Sequence, residues 1–216
     1  MLKIAVLISG RGSNLQALID ASQKPDYPAR IACVVSNVAE AQGLERARAA
    51  NIPALAISHR DFKDKPSFEK AIDEQLTQHG VQLVCLAGFM RLLSPWFVDR
   101  WRDRLINIHP SLLPAFPGLD THQKALDYGV KFTGCTVHFV RAEMDHGPII
   151  AQAAVPVLPN DTEETLAARV LESEHHIYPQ IVHWIAESKV NVLDERVFIA
   201  GVNSPQSPLL NPALTD

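Results

Sequence analysis

Five short apolar runs punctuate the first half of the chain: Lys3–Ile8, Ile31–Val35, Ala54–Ile57, Leu83–Ala87 and Leu105–Ile108. They are continuously apolar rather than alternating, which is the pattern of strands buried on both faces. Between them lie amphipathic stretches that read as helices, Ser13–Ala21, Gly43–Ala50, Pro66–His79 and Ser94–Trp101. Pro66 suits a first helical turn, and Gly80 suits the position just past a helix end. This alternation predicts an α/β fold with a single doubly wound, mostly parallel sheet.

The rhythm changes after residue 109. A Pro/Gly-rich stretch, Pro110–Gly118, leads to a short helix over Thr121–Tyr128 and then to two longer strands, Thr133–Val140 and Pro148–Val157. Only the polar stretch Arg141–Gly147 separates them, so they should pair antiparallel in the C-terminal part of the sheet. Asp161-Thr162 followed by Glu163-Glu164 signals an N-cap with acidic residues in the first turn. The long helix it opens is expected to break near Pro179. A last strand pair is expected within Val190–Phe198. One domain over residues 1–202 and a loose tail over 203–216 complete the expected organisation.

Composition acts mainly by exclusion. Twenty Lys+Arg against 24 Asp+Glu give a net charge of −4, which argues against a protein whose main task is gripping nucleic-acid phosphates. No basic and apolar leader precedes the first strand, and no apolar run approaches the ~18 residues that span a bilayer. Cys33, Cys85 and Cys135 each sit among apolar neighbours and read as buried reduced thiols, which points to the cytoplasm. The histidines lack metal-ligand spacing, so no metal is expected.

Three clusters carry candidate chemistry. Ser9-Gly10-Arg11-Gly12-Ser13-Asn14 joins the first strand to the first helix, where glycines let a ligand approach and helix amides favour an anion. Leu15 stands where a dinucleotide fingerprint needs its third glycine, so a single phosphate fits better, with a plain tight turn as the alternative. Asn107-Ile108-His109-Pro110-Ser111 ends a buried strand, the edge where open α/β sheets bind ligands. Strand alternation places Asn107 and His109 on one face, pairing an oxyanion donor with an imidazole, unless His109 is merely structural. Glu143-Met144-Asp145-His146-Gly147-Pro148 is either a hairpin turn or the source of a carboxylate that stabilises the His109 imidazolium.

Taken in order with Ala87-Gly88-Phe89-Met90-Arg91-Leu92-Leu93 and the continuation Leu112-Leu113-Pro114, these clusters resemble the phosphoribosylglycinamide formyltransferase family, folate-dependent enzymes of purine synthesis. The match runs from about residue 2 to 195. It implies formyl transfer from 10-formyltetrahydrofolate to the glycine amine of 5-phosphoribosylglycinamide, with Asn107, His109 and Asp145 catalytic. It also implies that Gly12, Ser13 and Asn14 hold the phosphate and that Glu174 holds the ribose hydroxyls. Met90, Arg91, Leu92, Leu93 and Asn107, together with Arg141, Ala142, Glu143, Met144 and Asp145, would line the folate site, and Lys65 would meet the folate tail. His146 departs from the glycine that often follows the aspartate in this family. The expected partners are small molecules, with no nucleic acid and no membrane, and the expected assembly is a monomer or weak homodimer. A related hydrolase and methionyl-tRNA formyltransferase share the core motifs but carry extra N-terminal or basic C-terminal domains. A chain with its first strand at residue 2 and about 200 ordered residues is therefore expected to act on the small phosphorylated amine.

Overall fold

In the computed structural model, which describes residues 1–212, the apolar runs become a stack of parallel strands. The elements alternate as β1 (Leu2–Ile8), α1 (Ser13–Ser22), β2 (Ala29–Ser36), α2 (Gln42–Ala49), β3 (Ala54–Ala56), α3 (Lys65–Gln78), β4 (Leu83–Leu86), α4 (Pro95–Arg100) and β5 (Leu105–His109). There follow α5 (Thr121–Tyr128), β6 (Phe132–Phe139), β7 (Ile149–Pro156), α6 (Glu163–Ala186), β8 (Val190–Leu193) and β9 (Arg196–Ile199). The seven-stranded sheet has the order β3-β2-β1-β4-β5-β6-β7. Its first five strands are parallel, whereas β6 runs antiparallel to β5 and β7 antiparallel to β6, the latter as expected from the absence of a helix between β6 and β7. β8 and β9 form a separate hairpin.

Alternate residues of each inner strand feed two cores. Ile4, Val6 and Ile8 of β1 face α1 and α6, packing with Leu15, Leu18 and Tyr178. Ala5 and Leu7 face α3 and α4, packing with Phe68, Ile72 and Phe97. Both faces of the sheet are therefore covered, which explains the absence of polar alternation in its strands. The chain moves outward from β1 to β3 and then restarts at β4 on the other side of β1. That topological switch point leaves a crevice at the carboxyl ends of β1 and β4, where the Ser9 amide donates to the Gly88 carbonyl at 3.0 Å.

The expected break at Pro179 does not occur: α6 is continuous over 24 residues. Buried anchors on either side of the proline outweigh its local penalty. Tyr178 is fully buried and its hydroxyl donates to the Leu86 carbonyl at 2.9 Å, with the Ile106 carbonyl at 3.4 Å, while the Tyr27 hydroxyl donates to the Pro179 carbonyl at 2.7 Å. Removing the Tyr178 hydroxyl leaves a buried carbonyl without its donor, so Tyr178→Phe is expected to cost about 1–3 kcal/mol. A lower urea midpoint at unchanged slope would register that loss.

The three cysteines are buried and free, and burial pushes the Cys33 and Cys135 thiols up to about 12. Residues 203–212 contain no helix or strand, and the Asn211 amide donates to the Val157 carbonyl at 3.3 Å. The rest of the expected loose tail, 213–216, lies outside the described residues. Among the described residues no helix is long and apolar enough to cross a membrane.

Candidate active site

The turn after β1 is shaped by two glycines from different elements. Gly12 is the N-cap of α1 in a left-handed conformation (φ 72°), and a Cβ there would lie 2.8 Å from the Gly43 Cα of α2. The Gly43 amide in turn donates to the Gly10 carbonyl at 3.0 Å, and Arg46 Nε donates to the Arg11 carbonyl at 2.9 Å. No side chain caps α1, so its first amides remain available to an anion, as the phosphate reading requires and the plain capped turn does not. Gly43 and Arg46 had no marked motif in the sequence because their role depends on α2 packing back against the turn.

Asn14 projects from the first turn of α1 to α6, where its Nδ2 donates to Glu174 Oε2 at 2.6 Å. Glu174 is 6% exposed, and burial raises its carboxyl above the ordinary range while the Asn14 hydrogen bond partly opposes that rise. Asn14 Oδ1 is buried without a hydrogen-bond partner. The pair thus places an acceptor-rich patch beside the glycine turn, 160 residues apart in sequence.

The second half of the site is built on β5. Asn107 lies opposite His138 of β6 in the antiparallel register, and Asn107 Nδ2 is 3.4 Å from His138 Nε2. His138 is buried, which lowers its pKa; the Phe139 carbonyl and the Asp145 charge oppose that shift. Its Nδ1 lies 3.0 Å from the Phe139 carbonyl and must donate there, so the neutral ring presents a bare Nε2 to Asn107. This orients the amide with nitrogen toward His138 and leaves its second hydrogen to offer elsewhere. Nothing in the sequence distinguished His138 from the other histidines, because its value comes from strand register.

His109 is buried between two acceptors. Its Nδ1 is 3.4 Å from Asp145 Oδ1, and its Nε2 is 3.0 Å from the Phe116 carbonyl. Both ring nitrogens therefore face acceptors. Asp145 is itself held: its Oδ2 accepts from the Gly118 amide at 2.7 Å, and its backbone is left-handed at φ 51°. Asp145 belongs to the β6–β7 loop, not to an ordinary tight turn. The chain leaves β6 at Phe139, opposite Ile106 near the amino end of β5, and must double back to bring Asp145 to His109 at the carboxyl end.

The segments implied for folate flank this centre in different ways. Met90, Leu92 and Met144 are each more than half exposed, an apolar surface of the kind an aromatic ligand covers. Arg91 is exposed and Leu93 half-buried against the α3–α4 core. The Met90 amide donates to Ser9 Oγ at 2.8 Å, tying this segment to the glycine turn. Its far end is held by buried Glu69, which accepts from the Ser94 amide at 2.7 Å and from the Ser94 hydroxyl. Lys65 sits beside that strut, with Nζ 4.0 Å from Glu69 Oε1. Ala142 is exposed and Glu143 projects to solvent, whereas Arg141 turns its guanidinium away to Asp103 and Glu195. The Leu113–Pro114 bond, whose isomer the sequence left open, is cis.

A groove of about 620 Å3 between α1 and α6 touches Ser13 at one end but contains none of Asn107, His109 and Asp145. Among the described residues no group of three or more His, Cys, Asp or Glu side chains could hold a metal ion.

Comparison with known proteins identifies the family and the fold. The model of the formyl transferase family matches residues 2–182. A Haemophilus influenzae phosphoribosylglycinamide formyltransferase is 44% identical over 211 residues, which are 98% of this chain and 100% of that protein. The bovine trifunctional purine biosynthetic protein adenosine-3 is 50% identical over 190 residues, 88% of this chain but only 19% of that much longer protein. Among solved structures, glycinamide ribonucleotide transformylase 1 from Symbiobacterium toebii superposes with a TM-score of 0.90 at 50% identity, covering 92% of this chain and 94% of that one.

Proposed function

The chain belongs to the formyl transferase family, and from that premise we propose that it transfers the formyl group of 10-formyltetrahydrofolate to the glycine amine of 5-phosphoribosylglycinamide in purine synthesis. The observation that carries this reading is the meeting of Asp145 with His109, two residues beyond Asn107 on the same strand face, at the edge that also holds the uncapped glycine turn. In this reading the amides of Gly12, Ser13 and Asn14 hold the phosphate, and Glu174 accepts from the ribose hydroxyls. Met90 to Leu93, Arg141 to Asp145 and Lys65 border the folate. The enzyme works on small molecules in the cytoplasm, without a metal.

The substrate's neutral amine attacks the formyl carbon, and the carbonyl oxygen gains negative charge. Asn107 Nδ2 and the His109 imidazolium donate to that oxyanion, with Asp145 holding the ring charged and oriented. His109 Nε2 must exchange its bond to the Phe116 carbonyl for one to the substrate, so the 110–118 segment has to yield when the substrates bind. The proton lost by the amine passes to the leaving folate nitrogen through His109 or a water. Holding the two substrates together removes their relative freedom and supplies much of the acceleration.

Incubation of the protein with 10-formyltetrahydrofolate and either phosphoribosylglycinamide, water alone or tRNA tests this reading. Formylation of phosphoribosylglycinamide alone is expected. Deformylation in water at a comparable rate, or formylation of tRNA, would replace it.

Glu174→Gln is expected to weaken binding of the phosphorylated amine by about 1.5–3 kcal/mol, roughly 10- to 150-fold in KM, because hydroxyls bond more strongly to a charged acceptor. Protonation removes that acceptor, so KM should also rise as the pH falls. The raised carboxyl makes the rise begin at a higher pH than an exposed glutamate would give. A pH-independent KM through the acidic range would remove Glu174 from this role.

A further inference from the structure

The β8–β9 hairpin lies beyond the residues matched by the family model, yet its tip reaches the base of the catalytic loop. Leu193 pairs with Arg196, so Asp194 and Glu195 form the whole two-residue turn. Both are left-handed, at φ 50° and 57°, a conformation that such turns usually give to asparagine or glycine. A glutamate held there against its backbone preference points to a use for its side chain.

That side chain grips Arg141. Glu195 Oε2 accepts from Arg141 Nε at 2.7 Å and its Oε1 lies 3.2 Å from Arg141 Nη2, a two-point clasp of the guanidinium. Asp103, in the turn between α4 and β5 and also left-handed, accepts from Arg141 Nη2 at 2.8 Å. Burial works against the Arg141 charge, but the Glu195 and Asp103 hydrogen bonds outweigh it and raise the guanidinium pKa; in return Arg141 holds Glu195 below the usual carboxylate range. Arg141 is 9% exposed, whereas the other cation on Glu195, Arg102, is half exposed and contacts it at 2.7 Å from the solvent side.

Arg141 is where the loop departs. Its amide donates to the His146 carbonyl at 3.0 Å, closing the loop at its neck, and a Cβ on Gly147 would lie 3.1 Å from Arg141 Cγ. Between these ends the backbone turns left-handed to aim Asp145 at His109. We propose that Glu195, together with Asp103, is a positioning residue for the reaction: it clamps Arg141 and so holds loop 141–147 with Asp145 on His109. This rests on the proposed formyl transfer only for its kinetic consequence.

Glu195→Ala and the isosteric Glu195→Gln provide the test, with Arg102→Ala as the control that removes the solvent-side pair and leaves the clamp. Hydrogen–deuterium exchange should accelerate at the amides of 141–147 in both Glu195 variants and not in Arg102→Ala, with β5 and β6 unchanged. In the formyl-transfer assay, KM for the formyl donor should rise and kcat should fall by on the order of tenfold in Glu195→Ala, less in Glu195→Gln. KM for the phosphorylated amine should stay at the wild-type value. Wild-type exchange in the loop, or equal effects of Arg102→Ala, would overturn the clamp. Equal rises in both KM values would overturn it too, since they mean general loosening. The exchange readout needs no turnover, so a wild-type protein inactive in formyl transfer would sink the proposed function while the clamp was still judged.

Discussion

Replacing His109 or Asn107 with alanine is expected to lower turnover by at least about 10²- to 10³-fold, the usual cost of one oxyanion donor. Both variants should fold. Asn107 keeps its backbone pairing with Leu86 of β4 and His138 of β6 whatever its side chain, and the strand's core contacts come from Leu105, Ile106 and Ile108, none of which is altered. The two donors are oriented by different means, the Asn107 amide by neutral His138 and the His109 ring by Asp145 and the Phe116 carbonyl. Either variant should therefore lose its own donor while the other stays in place. Saturating turnover, measured alongside thermal unfolding, decides the matter: near-normal kcat in a folded variant removes that residue from the role.

Asp145→Asn should be nearly as damaging, about 10²-fold or more in kcat, although it preserves size and shape. The carboxylate serves two donors with two oxygens, the Gly118 amide on Oδ2 and His109 Nδ1 on Oδ1. An amide has one oxygen. If it faces Gly118, its NH2 opposes the His109 Nδ1 proton; if it faces His109, the Gly118 amide loses its acceptor and the loop loses a tether. The first arrangement disfavours the imidazolium, and the second disfavours the loop geometry. Nitrogen NMR of His109 distinguishes them by the protonation of its two ring nitrogens. Wild-type turnover with an unchanged imidazole spectrum would take Asp145 out of the mechanism.

Much of the fold was legible in the chain. Runs such as Leu83–Ala87 lack polar alternation because helices cover both sheet faces, and β6 and β7 pair antiparallel because only a polar loop joins them. Pro179 misled for the opposite reason: a local breaker met buried anchors, Tyr178 and Tyr27, that no local pattern contains. At the site, Asn107, His109 and Asp145 stood out as chemistry at a strand end and in a polar loop. His138, Gly43, Glu69 and Glu195 did not, because each acts through partners on other elements of the fold.

The sequence by itself determined the identity and spacing of the reactive groups and the alternation that builds the sheet, since periodicity and residue chemistry are properties of neighbours along the chain. Only the tertiary structure decided that His138 faces Asn107, that Asp145 returns across β5 to His109, and that Arg141 binds Glu195. Those choices depend on strand register and on the packing of a terminal hairpin, which bring together residues up to 54 positions apart and leave no periodic mark in the chain.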